Sequence, residues 1–278
     1  MIRELRPIFS QVPIHRMCAL LRVSRARVYQ PVREPRLPEL LLAIESIVMT
    51  FLGYGYRRVH RELVRQGASA SLYEVRLQMR TSGLLARRPP SKGITRRNLR
   101  DGKYENLARE LRPTAANQIW AADLTQVRTA SGPVYMAALI DLFSRKVVAW
   151  HLSRRPDAEL ALACLEKALL ARLPAPGWIH HSDQGSTYTA GEYVSRVRAS
   201  GGRMSMSRPG KPTDNPFIES FYSTLKKEEV RPNRYSSFLE AESSLDRYVQ
   251  LYNEKRMHTS LGNISPDQFE ATTGDEGR

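Results

Sequence analysis

The sequence has little cysteine and no long uninterrupted apolar run. Its two cysteines, Cys18 and Cys164, lie far apart and form no CxxC pair, so neither a disulfide framework nor a zinc ribbon is indicated. The longest apolar stretch, residues 40–52, is broken by Glu45, which argues against a membrane-spanning helix. The N-terminus, MIRELRPIFSQ, lacks the apolar core of a secretory signal. These absences favour a chain that works in a reducing cytoplasm.

Acidic side chains are scarce in the N-terminal part of the chain. Residues 1–112 hold 23 Lys and Arg against 9 Asp and Glu, whereas residues 113–278 hold 20 against 19. Nearly all of the net charge of +15 therefore lies in the N-terminal part. Such asymmetry is typical of a polyanion-binding segment, although an ordinary solvated basic surface gives the same count. We favour nucleic acid because the excess is arginine-rich and coincides with short helical units.

Two compact helical patterns organise this basic part. Residues 13–30 have the size of a helix-turn-helix, and an ordinary helical hairpin explains that segment alone equally well. Residues 53–85 form a second such unit, in which Ser71 and Glu74 make a capping-box pattern. The predicted segments are a helix-turn-helix-like stretch at 1–36, a second basic helical unit at 37–86 and a basic linker at 87–112. The predicted DNA contacts in them are Arg25, Arg27, Arg57, Arg58, Arg96 and Arg97.

From Asn117 onwards the periodicity changes to that of strands. Residues 118–127 alternate, with Ala121, Asp123 and Thr125 on one face and larger apolar residues on the other. Further strands are predicted at 134–142, 146–152, 177–181 and 202–206, with helices from Asp157 and at 190–199, and another begins after Asn215. Three strands with turns, followed by alternating helices and strands, predict an α/β fold with a mixed sheet. We expect the core to span 113–232, and a C-terminal helix and tail to occupy 233–278.

Three carboxylates are noticeable for their positions in these elements. Asp123 lies within the first strand, Asp183 just after the short strand at 177–181, and Glu219 in the first turn of the helix after the sheet. Mg²⁺ is usually held by a few carboxylates with water and substrate phosphates, and strand ends and packed helices hold such ligands rigidly. Each acid also has an ordinary interpretation. Asp123 could be a surface acid on a strand, Asp183 a turn former, and Glu219 an acid that is favourable near a helix N-terminus.

The residues around the acids carry a resemblance to a known family. The blocks WAADLT, IDLFSRKVVAW, HSDQGSTY, SMSRPGKPTDNPFIESFYSTLKKE and YNEKRMHTSL occur in this order. Together they resemble the DDE transposases of bacterial insertion sequences, of the retroviral-integrase-like group. The resemblance covers most of residues 10–270. It implies an RNase H-like catalytic core and metal-dependent DNA strand cleavage and joining, in which water frees a 3′-hydroxyl that then attacks another strand.

The resemblance also implies roles for particular residues. Asp123, Asp183 and Glu219 match the three metal-binding acids, with 35 residues between the last two. Lys226, seven residues after Glu219, matches a basic position associated with DNA contact. The implied cofactor is Mg²⁺ or Mn²⁺, with two ions per active site. The implied partners are double-stranded DNA at transposon ends and target, and other copies of the chain in a homo-oligomer on DNA. The implied location is the bacterial cytoplasm, at the nucleoid.

Proteins of this group are often encoded in two overlapping frames, and this chain resembles the downstream product. An upstream-frame helix-turn-helix protein is therefore a hypothetical further partner. Two rival functions stay open. One is a catalytically silent DNA-binding regulator derived from a transposase, which the presence of all three acids argues against. The other is an RNase H-like nuclease that cuts without joining, which the basic N-terminal units argue against.

Overall fold

The computed structural model describes residues 7, 9–21, 24, 38–85, 104–109, 111–208 and 214–274. Arg25, Arg27, Arg96 and Arg97 lie outside these ranges, as do the second predicted helix of residues 13–30 and most of the predicted linker. The boundaries predicted for the five segments stay predictions. Within the described residues, no helix is both long enough and apolar enough to cross a membrane.

The described N-terminal part is helical. Its helices are α1 (Ile14–Leu20), α2 (Pro38–Thr50), α3 (Tyr56–Arg65) and α4 (Leu72–Thr81). The predicted capping box begins α4, because Ser71 Oγ accepts the Glu74 N–H at 3.2 Å and Glu74 Oε2 accepts the Ser71 N–H at 2.8 Å. Apolar side chains of α2, α3 and α4 pack into one cluster, which also contains Met257 from the C-terminal part.

The rest of the chain is built on a five-stranded mixed sheet, as predicted. Its strands are β1 (Ile119–Thr129), β2 (Gly132–Asp141), β3 (Val147–Ser153), β4 (Ile179–Ser182) and β5 (Arg203–Met206), in the order β3-β2-β1-β4-β5. β1, β2 and β3 pair antiparallel, whereas β4 pairs parallel to β1 and β5 parallel to β4. β1 therefore lies at the centre, where its two kinds of neighbour meet.

Helices cover both faces of the sheet. They are α5 (Ala158–Arg172), α6 (Ser186–Thr189), α7 (Gly191–Ala199), α8 (Pro216–Leu225), α9 (Phe238–Glu254) and α10 (Pro266–Gly274), and a π-helical turn, Lys226–Val230, follows α8. Trp120 and Ala122 of β1 pack with α5 and α7 on one face. Ala121 and Val127 pack with α8 and α9 on the other. The alternation predicted for β1 is thus confirmed.

The fourth strand begins two residues later than predicted. Gly177 adopts a positive φ of 96°, which favours glycine and ends the preceding turn rather than starting a strand. The side chain of Trp178 is buried and stacks obliquely against Trp120, with ring centroids 4.7 Å apart. β4 consequently runs from Ile179 to Ser182 and ends directly before Asp183.

The N-terminal helices are joined to the C-terminal part by contacts of the loop between α2 and α3. Tyr54 is 1% exposed and its hydroxyl accepts the Met257 N–H at 2.8 Å. Lys227 Nζ donates to the Gly53 carbonyl at 3.3 Å. Gly53 also packs so tightly on Glu228 that an added Cβ would lie 2.7 Å from the Glu228 Cδ. The loop therefore rests on the π-helical turn that follows α8.

Candidate active site

The pairing of β1 with β4 places the first two predicted acids side by side. The parallel register sets Ala121 opposite His181, and each aspartate follows two residues later in its strand direction. Asp123 and Asp183 therefore occupy equivalent positions on neighbouring chain segments, although 60 positions separate them in sequence. Asp183 directly follows the end of β4 while Asp123 lies within β1, so the two acids meet at the carboxyl end of β4, which is the kind of place where α/β proteins commonly assemble sites.

The carboxyl group of Asp123 lies in a partly buried and electrostatically unfavourable place. Its Oδ1 accepts the Leu124 N–H at 2.8 Å. Its pKa is raised to about 7, first by burial and further by the charges of Asp183 and Glu219, whereas the hydrogen bond from Leu124 lowers it. The positive charge of Lys226 lowers this pKa. Asp183, Glu219 and Lys226 thus all lie close enough to Asp123 to influence its pKa.

Asp183 combines a turn-forming role with its position beside Asp123. Its Oδ1 accepts the Gly185 N–H at 2.9 Å, which stabilises the turn between β4 and α6. Gly185 approaches this carboxylate so closely that an added Cβ would lie 2.9 Å from Oδ1. The turn fixes Asp183, so the structural interpretation and the ligand interpretation of this residue are compatible.

Glu219 is exposed and lies in the first turn of α8. Partial desolvation raises its pKa. Two hydrogen bonds tie its helix to β1: Tyr222 Oη donates to the Asp123 carbonyl at 2.6 Å, and Asn215 Nδ2 donates to the Ala122 carbonyl at 3.3 Å. These contacts hold the third acid over the strand that carries the first.

Tyr222 and Asn215 were predicted for other roles. The apolar spacing of α8 predicts Tyr222 as a core residue, and it is buried, but its hydroxyl also makes the bond to β1. Asn215 precedes the helix and is a favourable N-cap type, yet its side chain caps no N–H of α8. The amide is turned towards Ala122 instead. The sequence signal for this bond is a tyrosine three residues after the third acid. Helical periodicity cannot predict which group the tyrosine hydroxyl contacts.

The three carboxylates form a donor set that suits a hard divalent cation. In the part of the chain that is described, no three His, Cys, Asp or Glu side chains converge closely enough to hold a metal ion, so the acids are neighbours rather than a closed ligand set. Oxygen donors alone are the preference of Mg²⁺. A cation beside Asp123 would also relieve the repulsion that raises its pKa. The donor chemistry of the three acids therefore suits such an ion.

Other acids and histidines near the sheet have structural contacts. Asp141 is fully buried and its carboxylate accepts the N–H groups of Asn117, Phe143 and Ser144. Asp214 pairs with Arg208, which holds the pKa of that carboxyl well below its usual range. Both acids are therefore engaged in local structural contacts.

His180 and His181 are buried rather than poised as zinc ligands. His180 Nε2 lies 2.7 Å from Tyr193 Oη, and His181 Nδ1 lies 2.8 Å from Ser205 Oγ. His181 Nε2 lies 3.1 Å from the Asp214 carbonyl. His181 therefore connects β4 and β5 to the segment that leads into α8, which supports the position of Glu219 indirectly.

The predicted basic contacts occupy different environments. Lys226 begins the π-helical turn directly after α8, half-buried and close enough to Asp123 to influence its pKa. Arg57 is exposed on α3, whereas Arg58 is half-buried and stacks over Tyr54, with its guanidinium carbon 5.5 Å from the ring centroid. The fold therefore places Lys226 close to the three acids, whereas Arg57 and Arg58 lie on the N-terminal helix α3.

Comparison with known proteins gives a consistent family. Two protein-family models, both described as integrase core domain, match residues 113–212 and 200–266. The chain is 37% identical over 220 residues to the transposase for insertion sequence element IS904 of Lactococcus lactis, covering 78% of this chain and 87% of that protein. It is 31% identical to the transposase InsF for insertion sequence IS3A of Escherichia coli, covering 94% and 95%.

The chain is also similar to a 31 kDa protein of insertion element IS600 from Shigella sonnei, at 36% identity over 91% of this chain and 97% of that protein. Among solved structures, the HTLV-2 integrase catalytic core domain in complex with magnesium covers 57% of this chain at 14% identity and a TM-score of 0.44. The integrase core family is metal-dependent and implies polynucleotidyl transferase activity, DNA binding and assembly on DNA. The chain has a mixed RNase H-like sheet that follows N-terminal helices in sequence. It belongs to the integrase-core transposases of bacterial insertion sequences.

Proposed function

We propose that the chain cleaves DNA at the ends of its insertion sequence and joins the freed 3′ ends to a target strand. The observation that carries the proposal is the placement of Asp123 beside Asp183 by the parallel register of β1 and β4, with Glu219 on α8 close enough to influence the pKa of Asp123. Membership of the transposase family supports the reaction class, and the donor chemistry of the three acids supports metal dependence.

In this proposal the three acids hold two Mg²⁺ ions. When bound, such ions supply Lewis acidity that activates the attacking oxygen and stabilises the leaving oxygen in phosphoryl transfer. Asp123 would contribute from a strand whose backbone is fixed on both sides, and Asp183 from the turn closed by Gly185. Glu219 would complete the set from α8, which Tyr222 and Asn215 hold against β1.

Basic side chains would hold the DNA. Lys226 would contact a phosphate near the acids, and Arg57 and Arg58 would contact duplex DNA from α3. Arg25, Arg27, Arg96 and Arg97 belong to the same proposal by their sequence positions. Since phosphate contacts release counterions, affinity should fall steeply as salt rises. Bringing two element ends together requires more than one copy of the chain, so we propose a homo-oligomer on DNA.

The test is strand transfer with labelled, pre-cut DNA from the ends of the encoding element, in Mg²⁺ and in Mn²⁺. Glu219→Gln keeps the shape of the side chain and removes its charge, so joining should be lost while DNA binding is retained. Glu192→Gln is a matched control, because Glu192 is also an exposed acid in the first turn of a helix, α7. That control should join DNA at the wild-type rate.

Different products separate this proposal from its rivals. Joined strands from the wild type and none from Glu219→Gln support the transposase. Cut but unjoined strands would identify a nuclease instead. Binding without cutting or joining would identify a silent regulator. Repeating the reaction with an upstream-frame protein added tests whether such a partner is needed, because joining would then appear only in its presence.

A further inference from the structure

A cavity of about 420 Å³ lies on the flank of α8, next to the face that carries Glu219. Ser220 and Thr224 of α8 line one wall, Arg145 of the β2–β3 turn another, and Arg58 of α3 a third. Tyr252, Arg256 and His258 close it from the C-terminal part. The cavity thus forms where the N-terminal helices, the sheet and the C-terminal block meet.

Positive charge dominates the walls of this cavity. Arg58 and Arg145 make no salt bridge with any described residue. Glu228, whose charge acts on Arg58, is already held by Arg256 through two hydrogen bonds of 2.9 Å. The carboxylate of Asp141, which acts on Arg145, is occupied by backbone N–H groups. No described acid is therefore available to neutralise the two arginines.

The same walls contain buried polar atoms whose hydrogen bonds are unmade. Arg145 Nη1 and His258 Nε2 are both buried without a partner among the described residues. Burial and then the charges of Arg256, Arg58 and Arg145 lower the pKa of His258 to about 3. Buried polar groups are normally hydrogen-bonded, and an orphaned one calls for an explanation such as a missing ion. An anion between these groups would satisfy both atoms and the two unpaired charges.

The size and lining of the cavity indicate the class of anion. Planar guanidinium groups match the oxygens of a phosphate, and serine and threonine hydroxyls donate to the same group. A volume of about 420 Å³ lies in the range of small-ligand sites and exceeds what one phosphate fills. Arg145 also covers the ring of Phe217, with its guanidinium carbon 3.5 Å from the ring centroid, so flat surfaces flank the charged groups.

We infer that this cavity binds a phosphate ester through Arg58 and Arg145, with His258 and the hydroxyls of α8 as further partners. A strand of DNA is the source that the position favours, because Ser220 directly follows Glu219 on α8. A free nucleotide carries the same chemistry. The inference concerns binding alone, so it stands or falls separately from cleavage and joining.

The test compares the full chain with the double variant Arg58→Gln/Arg145→Asn. Asparagine is chosen at position 145 because the backbone there has a φ of 63°, which asparagine tolerates better than most residues. Arg203→Gln controls for the removal of an exposed arginine elsewhere, since Arg203 lies on the edge strand β5 at the other side of the sheet. The readouts are Tm in inorganic phosphate or dTMP against chloride at equal ionic strength, and Kd for a labelled oligothymidylate.

Inorganic phosphate should raise the Tm of the wild type and of Arg203→Gln but not that of the double variant. If a DNA strand fills the cavity, the Kd for oligothymidylate rises about tenfold in the double variant and its salt dependence becomes shallower. If a free nucleotide fills it, dTMP stabilises only the proteins with both arginines and the oligothymidylate Kd is unchanged. Equal responses of all three proteins to phosphate, dTMP and oligothymidylate overturn the inference.

A second variant guards against misfolding as the explanation. Ser260 is exposed at the rim of the cavity, so Ser260→Asp introduces a carboxylate without disturbing the core. In phosphate-free buffer this variant should have a higher Tm than the wild type, because the new charge offsets that of the arginines. It should also lose the gain in Tm on addition of phosphate. A lower Tm together with an unchanged phosphate response contradicts an anion site.

Discussion

Arg256 and Glu228 form a buried, two-pronged ion pair between the C-terminal block and the π-helical turn after α8. Arg256 Nε and Nη2 each donate to a different Glu228 oxygen at 2.9 Å, and the side chains are only 6% and 5% exposed. Tyr248 Oη donates to the same carboxylate at 3.0 Å. The pair therefore joins α9 and the residues after it to the helix that carries Glu219.

Removing one partner of this pair should destabilise the chain strongly. Arg256→Ala leaves the carboxylate of Glu228 buried without its cation, which typically costs about 3–5 kcal/mol of unfolding free energy. Urea unfolding followed by circular dichroism measures the loss. Arg196→Ala is the control, because Arg196 pairs with Glu166 at the surface, where both are more than a third exposed, and such pairs contribute about 1 kcal/mol or less. Equal losses in both variants would contradict this account.

Gly53 should be intolerant of even one added methyl group. In Gly53→Ala the new Cβ collides with the Glu228 side chain, so either the loop between α2 and α3 or the buried ion pair must shift. We expect a loss of about 1–3 kcal/mol, as for other overpacked sites. Gly55→Ala is a nearby control, since an added Cβ there meets nothing within 4 Å. The measurement is the thermal unfolding of the two variants under the same conditions. A Gly53→Ala protein as stable as Gly55→Ala would contradict the close approach of Gly53 to Glu228.

The buried His180 should make the chain sensitive to mild acid. Burial, then the neighbouring His181, lowers its pKa from 6.5 to about 3. The unfolded chain takes up this proton as pH falls below 6.5, while the folded chain does not until about pH 3. Stability is therefore complete above pH 6.5 and declines below it, by at most about 1.4 kcal/mol per pH unit.

His180→Gln removes this titration. The difference in unfolding free energy between wild type and variant should be constant above pH 7 and should shift in favour of the variant as pH falls from 6.5 to 4. Denaturant titrations at several pH values measure it, and contributions from other groups cancel in the difference. A difference that does not change with pH would show that His180 is not the group responsible.

Asp123 should link stability to both pH and Mg²⁺. Its pKa in the folded chain is about 7, above the ordinary 3.8, so ionisation of Asp123 destabilises the folded chain. This destabilisation grows as pH rises from 3.8 to 7 and is complete above pH 7. Without metal, Asp123→Asn should therefore be more stable than the wild type at pH 8, by at most about 4 kcal/mol, and not at pH 3. The exposed Asp246 provides a control in Asp246→Asn, which should show no such gain.

Addition of Mg²⁺ should reverse the order. A ligand at ten times its Kd stabilises the protein that binds it by about 1.4 kcal/mol, so the Tm of the wild type should rise while that of Asp123→Asn stays unchanged. Calorimetry with and without a chelator measures both. A Tm gain from Mg²⁺ of the same size in Asp123→Asn would remove Asp123 from the proposed ligand set.

Several features of the chain followed from local sequence alone. The alternation in β1, the capping box of Ser71 and Glu74, and the start of α8 at Pro216 all depend on residues a few positions apart. Period and capping chemistry report on such neighbours directly. The ordered blocks around Asp123, Asp183 and Glu219 likewise indicated the transposase family before any contact was known.

Other features depended on contacts between distant parts of the chain. The bond from Tyr222 to Asp123 spans 99 positions, and the cavity brings Arg58 beside Arg256. Local patterns could assign Tyr222 to an apolar stripe and Arg58 to a basic helix, but hydrogen-bond partners and desolvation arise only when the segments pack. The sequence by itself thus determined the elements, the family and the candidate acids. Tertiary packing decided the raised pKa of Asp123, the fastening of α8 and the charged cavity, because burial and electrostatic environment are properties of the whole fold.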